Sequence, residues 1–83
     1  MSAELNESHL TEAAILAEVA ASTGLPLEEI EPGDALADLG LDSIRLMNLV
    51  ETWRAAGAGV DFPRLAASQN VETLVATVLG TLR

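Results

Sequence analysis

The sequence predicts an all-α protein: a small four-helix bundle of three main helices and one short one, with a long ordered loop between the first and second helices. Three observations predict it. Apolar residues recur at helical spacing in several stretches, no stretch alternates with the period of two that marks a half-buried strand, and Gly, Pro, Asp and Asn punctuate the chain where helices should stop and start. The length of 83 residues supports one small core and not two. A chain of this size buries roughly 60–65% of its unfolded surface. The whole chain, 1–83, is therefore read as a single domain, ordered over about residues 8–82.

The elements follow in order. Residues 1–7 are polar and expected to fray, and His9 is expected to lie exposed before the first helix. Ser8 or Thr11 can cap that helix, in which Ile15, Leu16, Val19 and Ala20 share a face and which runs to about Ser22. Gly24 suits the position just past its end, and Pro26 opposes a restart. From Thr23 to Asp42 there is no sustained period, yet the segment holds Leu25, Leu27, Ile30, Leu36, Leu39 and Leu41. That is too apolar for a disordered linker, so an ordered loop lying across the helices is expected, with one helical turn at Leu27–Ile30.

Asp42 can cap a second helix from Ser43 to about Ala56, ended by Gly57 and Gly59. Asp61 and Pro63 mark a short third helix near Phe62–Ala67, because Pro is tolerated in a first turn. Asn70 can cap the last helix, Val71 to about Leu82, where Val71, Leu74, Val75, Val78, Leu79 and Leu82 form one stripe.

Composition excludes several functions. There is no Cys, hence no disulfide, thiolate metal site or thiol nucleophile. The 13 acids against four Arg give a net charge of −9, which argues against nucleic acid and anionic membrane and favours partners with basic surfaces. No apolar run approaches the ~20 residues that span a bilayer, and the first residues lack the pattern of a secretion signal, so a cytoplasmic protein is expected. Ten of the acids lie in residues 1–42, which hold no cation, and the changeover falls at Asp42-Ser43. Asp34, Asp38 and Asp42 recur every four residues, unlike a calcium loop, and no metal site is expected.

The second helix carries apolar residues on two faces. On a wheel of about 100° per residue, Leu46, Leu49, Val50 and Trp53 cluster as a core stripe. Ile44 lies roughly 170° from the centre of that stripe and Met47 about 110° from it. They flank Ser43 on the side that faces water, either as scattered surface residues or as a partner contact. Ser43 itself sits in the first helical turn, where unpaired backbone N–H groups and the positive end of the helix dipole would suit a phosphate ester. Position alone is better served by an ordinary helix-start serine. A nucleophilic serine would need a base, and His9 is the lone histidine, so an enzyme is not expected.

The run Leu39-Gly40-Leu41-Asp42-Ser43-Ile44-Arg45-Leu46-Met47 closely resembles the modification motif of the acyl carrier protein superfamily, whose core reads G-[LIVMF]-D-S-[LIV]. The resemblance spans about residues 10–82. It implies an acyl-carrier-like bundle in which Ser43 accepts 4′-phosphopantetheine from coenzyme A, attached by a separate phosphopantetheinyl transferase. The arm's thiol would then hold cargo as a thioester.

Within the superfamily the sequence looks most like aryl carrier domains of nonribosomal peptide synthesis, of the kind that make siderophores. The similarity rests on Asp42 to Met47, Trp53-Arg54, Val60-Asp61-Phe62 and Leu65-Ala66. Where many relatives have a Pro-Thr pair before the last helix, this chain has Ser68-Gln69-Asn70-Val71, and Asn70 can cap equally well. The chain starts at Met1 and stops just past the last helix, as a stand-alone carrier or an excised domain would.

The resemblance further implies a partner surface of Ile44, Arg45, Met47, Phe62 and Ala66. Phe62 is equally suited to core packing. Arg45 could meet an acidic partner residue or the phosphodiester, or remain solvated. Asp38 and Asp42 would face the basic surface of the transferase. The expected partners are that transferase, an adenylation enzyme that activates an aryl or amino acid, and a condensation or other acyl-transfer enzyme, met in turn by a monomer. Two alternatives stand beside this reading. One is a carrier for fatty-acid, polyketide or D-alanine chemistry, and the other is a helical adaptor that bears no arm.

Overall fold

The computed structural model describes residues 10–82, so the expectations for His9, for a cap at Ser8 and for fraying of residues 1–7 lie outside the described residues. Four α-helices form: α1 Glu12–Thr23, α2 Ser43–Ala55, α3 Phe62–Ala66 and α4 Val71–Gly80. No strand forms among the described residues, and the all-α bundle read from the sequence is the fold observed.

Each helix starts at a side chain that accepts a first-turn N–H, which satisfies one of the donors a helix cannot pair internally. Thr11 accepts from the Ala14 N–H at 3.1 Å, Asp42 from Arg45 at 2.9 Å, Asp61 from Arg64 at 2.9 Å and Asn70 from Thr73 at 2.9 Å. The ends are equally local in cause. Gly57, at φ +107°, closes α2 by donating its N–H to the Arg54 carbonyl at 3.1 Å, while the Ala58 N–H donates to that of Trp53 at 3.0 Å. This double reversal needs a left-handed residue, hence glycine. Helix α4 stops at Gly80, about two residues short of the sequence expectation. There the Thr81 hydroxyl turns back onto the Val78 carbonyl at 2.8 Å, and the Gly59 N–H takes the Thr81 carbonyl at 3.1 Å.

The core is one cluster. Ile15 and Val19 of α1, Leu46, Leu49, Val50 and Trp53 of α2, Leu65 of α3, and Val71, Leu74, Val75 and Val78 of α4 are buried together. Helix α1 packs on α2 and α4, and α3 packs on the same two. Leu10, just before the α1 cap, packs against the cluster as well.

The segment between α1 and α2 is ordered because it is stitched to the start of α4. The Val71 N–H donates to the Asp34 carbonyl at 3.0 Å, the Glu72 N–H to that of Pro32 at 2.8 Å, and the Leu36 N–H to that of Gln69 at 3.3 Å. Ala35 and Asn70 thus form an isolated antiparallel bridge. Two of the orphan donors of α4 are paired in this way, by loop carbonyls rather than water. The segment contains the expected helical turn, at Leu27–Glu29, and a second 3-10 turn at Ala37–Leu39 that the sequence reading did not anticipate. Leu36 and Leu41 enter the core, and Ile30 and Leu39 pack on its edge. Leu27 is 47% exposed although the turn it opens lies against α1.

Two buried polar atoms have no hydrogen-bond partner among the described residues, Trp53 Nε1 and Ser68 Oγ. They make opposite predictions. Trp53 is fully buried, so Trp53→Ala is expected to cost about 3–5 kcal/mol in urea unfolding followed by circular dichroism. Ser68→Ala removes an unpaired hydroxyl and little volume, so the same measurement should show no loss and a gain of up to about 1 kcal/mol. A loss above that size for Ser68→Ala would mean the hydroxyl is paired in solution.

Candidate functional site

The loop reaches α2 through a short sequence of constraints. Leu36 and Leu41 are each 5% exposed and fix two points of the backbone in the core. Between them the Ala37–Leu39 turn ends at Gly40, whose φ of +85° reverses the chain in the left-handed region. The Leu41 N–H then returns to the Leu36 carbonyl at 3.1 Å. With Leu41 facing in and the backbone extended at Asp42, the next residues emerge at the surface.

Asp42 is exposed and caps α2 with Oδ1, and its carbonyl accepts the Leu46 N–H at 2.9 Å. Ser43 is therefore the first helical residue, and it is exposed. Its hydroxyl makes no hydrogen bond to any described residue. The helix cap is Asp42, so the hydroxyl of Ser43 is not needed for that role. It stands beside first-turn N–H groups that have no partner within the helix, at the positive end of the α2 dipole. A phosphodiester on Ser43 Oγ fits this position: the atom is accessible and the charge is complemented by α2 itself.

The surroundings are sorted by face. Ile44 is 70% exposed and Met47 51%, whereas Leu46, Leu49, Val50 and Trp53 of the same helix are buried. Among the described residues, Ile44, Met47 and Leu27 are the large apolar side chains left exposed, so two of the three lie within four positions of Ser43. On α3, Ala66 is exposed, and Phe62 is half-buried with part of its ring packed on the core. Core packing thus accounts for one side of Phe62 and leaves the other at the surface.

The charged neighbours divide into free and engaged groups. Asp38 is exposed. Asp34 is half-buried and its carboxylate accepts the Glu31 N–H at 2.9 Å, so it serves the loop. Arg45 is neither simply solvated nor free: its Nη1 donates to the Gly40 carbonyl at 3.1 Å. That contact was not legible in the sequence, because it depends on the reversal at Gly40. No cluster of metal-ligating side chains forms among the described residues, and no helix among them is long and apolar enough to cross a membrane.

The family described as "Phosphopantetheine attachment site" matches residues 13–78, most of the chain. The chain is similar to the phenyloxazoline synthase MbtB of Mycobacterium tuberculosis H37Rv, 48% identical over 58 residues, which are 70% of this chain and 4% of that protein. It is similar to the phenyloxazoline synthase of Mycolicibacterium paratuberculosis, 44% identical over 55 residues, 66% of this chain and 5% of that protein. It is also similar to the isochorismatase of Bacillus subtilis 168, 49% identical over 45 residues, 54% of this chain and 14% of that protein. The chain thus corresponds to a small fraction of each of these relatives. No solved structure matches it significantly. The match across residues 13–78 shows that the chain belongs to the family of phosphopantetheine-bearing domains, which take 4′-phosphopantetheine covalently and act as carriers rather than enzymes.

Proposed function

We propose that this chain is an aryl carrier of nonribosomal peptide synthesis, of a siderophore-like pathway, with the prosthetic group on Ser43. The observation that carries the reading is the exposed Ser43 hydroxyl at the Asp42-capped start of α2, without a hydrogen bond to any described residue and flanked by exposed Ile44 and Met47. The aryl assignment is supported by relatives of two kinds, phenyloxazoline synthases, whose name states an aromatic product, and an isochorismatase.

In modification, Ser43 Oγ forms a bond to phosphorus of coenzyme A as the pyrophosphate link breaks. The nucleotide portion leaves, and the serine proton passes to the transferase. When bound, the group supplies a flexible arm ending in a thiol that holds an acyl or aryl cargo as a thioester. The chain's own residues do three things. The α2 start complements the phosphodiester charge, Asp38 and Asp42 meet a basic transferase surface, and Ile44 and Met47, with Phe62 and Ala66 beside them, offer a small face to successive partners. An apolar face of few residues suits interactions that must form and release in turn. A tether of this kind holds its cargo at millimolar effective concentration near a partner's active site. The partners in this reading are the phosphopantetheinyl transferase, an aryl- or amino-acid-activating adenylation enzyme and a condensation enzyme, in the cytoplasm where coenzyme A is used, with the chain a monomeric single domain.

Two predictions test this reading. Incubation with coenzyme A and a broad-specificity transferase should add one phosphopantetheine to the intact mass, and Ser43→Ala should abolish the gain. The loaded form should then accept 2,3-dihydroxybenzoate or salicylate from an aryl-activating enzyme. No mass gain under conditions that modify a control carrier would favour an armless adaptor. Exclusive loading of an aliphatic amino acid, or of a fatty or polyketide acyl group, would overturn the aryl assignment. Separately, Met47→Ala should leave unfolding stability within about 0.5 kcal/mol, as for a surface site, while slowing acyl transfer to a partner. A large stability loss would place Met47 in the core.

A further inference from the structure

The side chain of Arg45 is tied down on its own chain. Its Nη1 donates to the Gly40 carbonyl at 3.1 Å, and its backbone N–H donates to Asp42 Oδ1 at 2.9 Å. The same Gly40 carbonyl accepts the Asp42 N–H at 3.1 Å. Arg45 thus meets the junction at two points that precede Ser43, its side chain at the last loop reversal and its backbone at the cap that starts the helix. The junction needs such a grip. Gly40 lies at φ +85°, and glycine is the residue with the greatest freedom to leave that conformation. Leu41 is anchored in the core, whereas Gly40 and Asp42 on either side of it are exposed and are held by hydrogen bonds, the Gly40 N–H donating to the Ala37 carbonyl at 3.1 Å and the Asp42 carbonyl accepting from the Leu46 N–H at 2.9 Å. The Arg45 guanidinium lies over Gly40, where a Cβ would meet Nη1 at 3.6 Å.

We infer that Arg45 is a positioning residue for the modification of Ser43, its guanidinium holding the Gly40–Asp42 turn so that the serine is presented in one orientation. The inference rests on Ser43 being the attachment residue. It differs from a docking role, in which Arg45 would reach out to the partner. A fixed attacking group lowers the ordering that must occur in the transferase complex, so loss of the clasp slows the reaction without unfolding the protein. A carbonyl asks for one N–H, which Lys can also provide, whereas a forked contact to a partner carboxylate or phosphate needs the guanidinium plane.

The test uses the full chain as wild type, Arg45→Ala and Arg45→Lys. In backbone ¹⁵N relaxation without any partner, Gly40 and Asp42 of Arg45→Ala should fall from rigid order parameters of about 0.85 toward 0.6 or below, with the helices unchanged. Phosphopantetheine transfer to Arg45→Ala should show kcat/KM reduced about threefold to tenfold, the range of one hydrogen bond. Tm should hold, and Arg45→Lys should recover most of both losses. Slower transfer with unchanged order parameters, or a Lys variant as slow as Ala, would overturn the proposal in favour of direct contact with the transferase. Unchanged kcat/KM for Arg45→Ala would overturn this proposal alone. A wild-type chain that accepts no group would remove the attachment reading and this proposal with it.

Discussion

Three backbone hydrogen bonds between the loop and the start of α4 set the frame in which everything else stands. Val71 and Glu72 donate to the carbonyls of Asp34 and Pro32, and Leu36 donates to that of Gln69. The segment from 24 to 42, which holds no α-helix, would otherwise be costly to order, since each fixed residue loses on the order of 1–2 kcal/mol of backbone entropy. The stitching meets that cost in part by pairing α4 donors that need partners anyway. It also brings Leu36 and Leu41 over the core. Once Leu41 is buried, an extended Asp42 and an exposed Ser43 follow from the direction of the chain.

The same arrangement separates stability from recognition on a single helix. Helix α2 turns Leu46, Leu49, Val50 and Trp53 inward and Ile44 and Met47 outward. The exposed apolar residues can therefore vary without disturbing the fold, because none of the core depends on them. The acidic charge behaves similarly. Residues 1–42 hold ten acids and no cation, whereas three Arg, at positions 45, 54 and 64, are interleaved in the described part of the second half. Two of these, Arg45 and Arg54, donate to backbone carbonyls, of Gly40 and Val60. Those cations serve local structure, and the surface charge of the first half stays acidic.

Much of this was legible in the sequence because its causes are local. Caps at Thr11, Asp42, Asp61 and Asn70 are properties of a side chain three residues from its donor. The inward and outward faces of α2 follow from helical period alone. What escaped reading depends on contacts distant in sequence or on a reversal of the backbone. The Ala37–Leu39 turn exists where the loop folds over the core, and the Arg45 clasp exists because Gly40 turns its carbonyl toward it. The outward face of Leu27 was likewise hidden, since periodicity says nothing within a segment that has no period. The half-buried setting of Phe62 answered a question that sequence had left between core and surface.

The claim at the centre of this account is that the exposed Ser43 hydroxyl, which bonds to none of the described residues, is the one that is modified. Fragmentation mass spectrometry of the chain after treatment with coenzyme A and a transferase tests it most directly, by assigning the added group to a residue. The account predicts that every modified fragment contains Ser43 and that fragments divided on either side of it confine the group to that position. Occupancy at another hydroxyl, such as Ser68 or Thr52, with Ser43 unmodified, would contradict it.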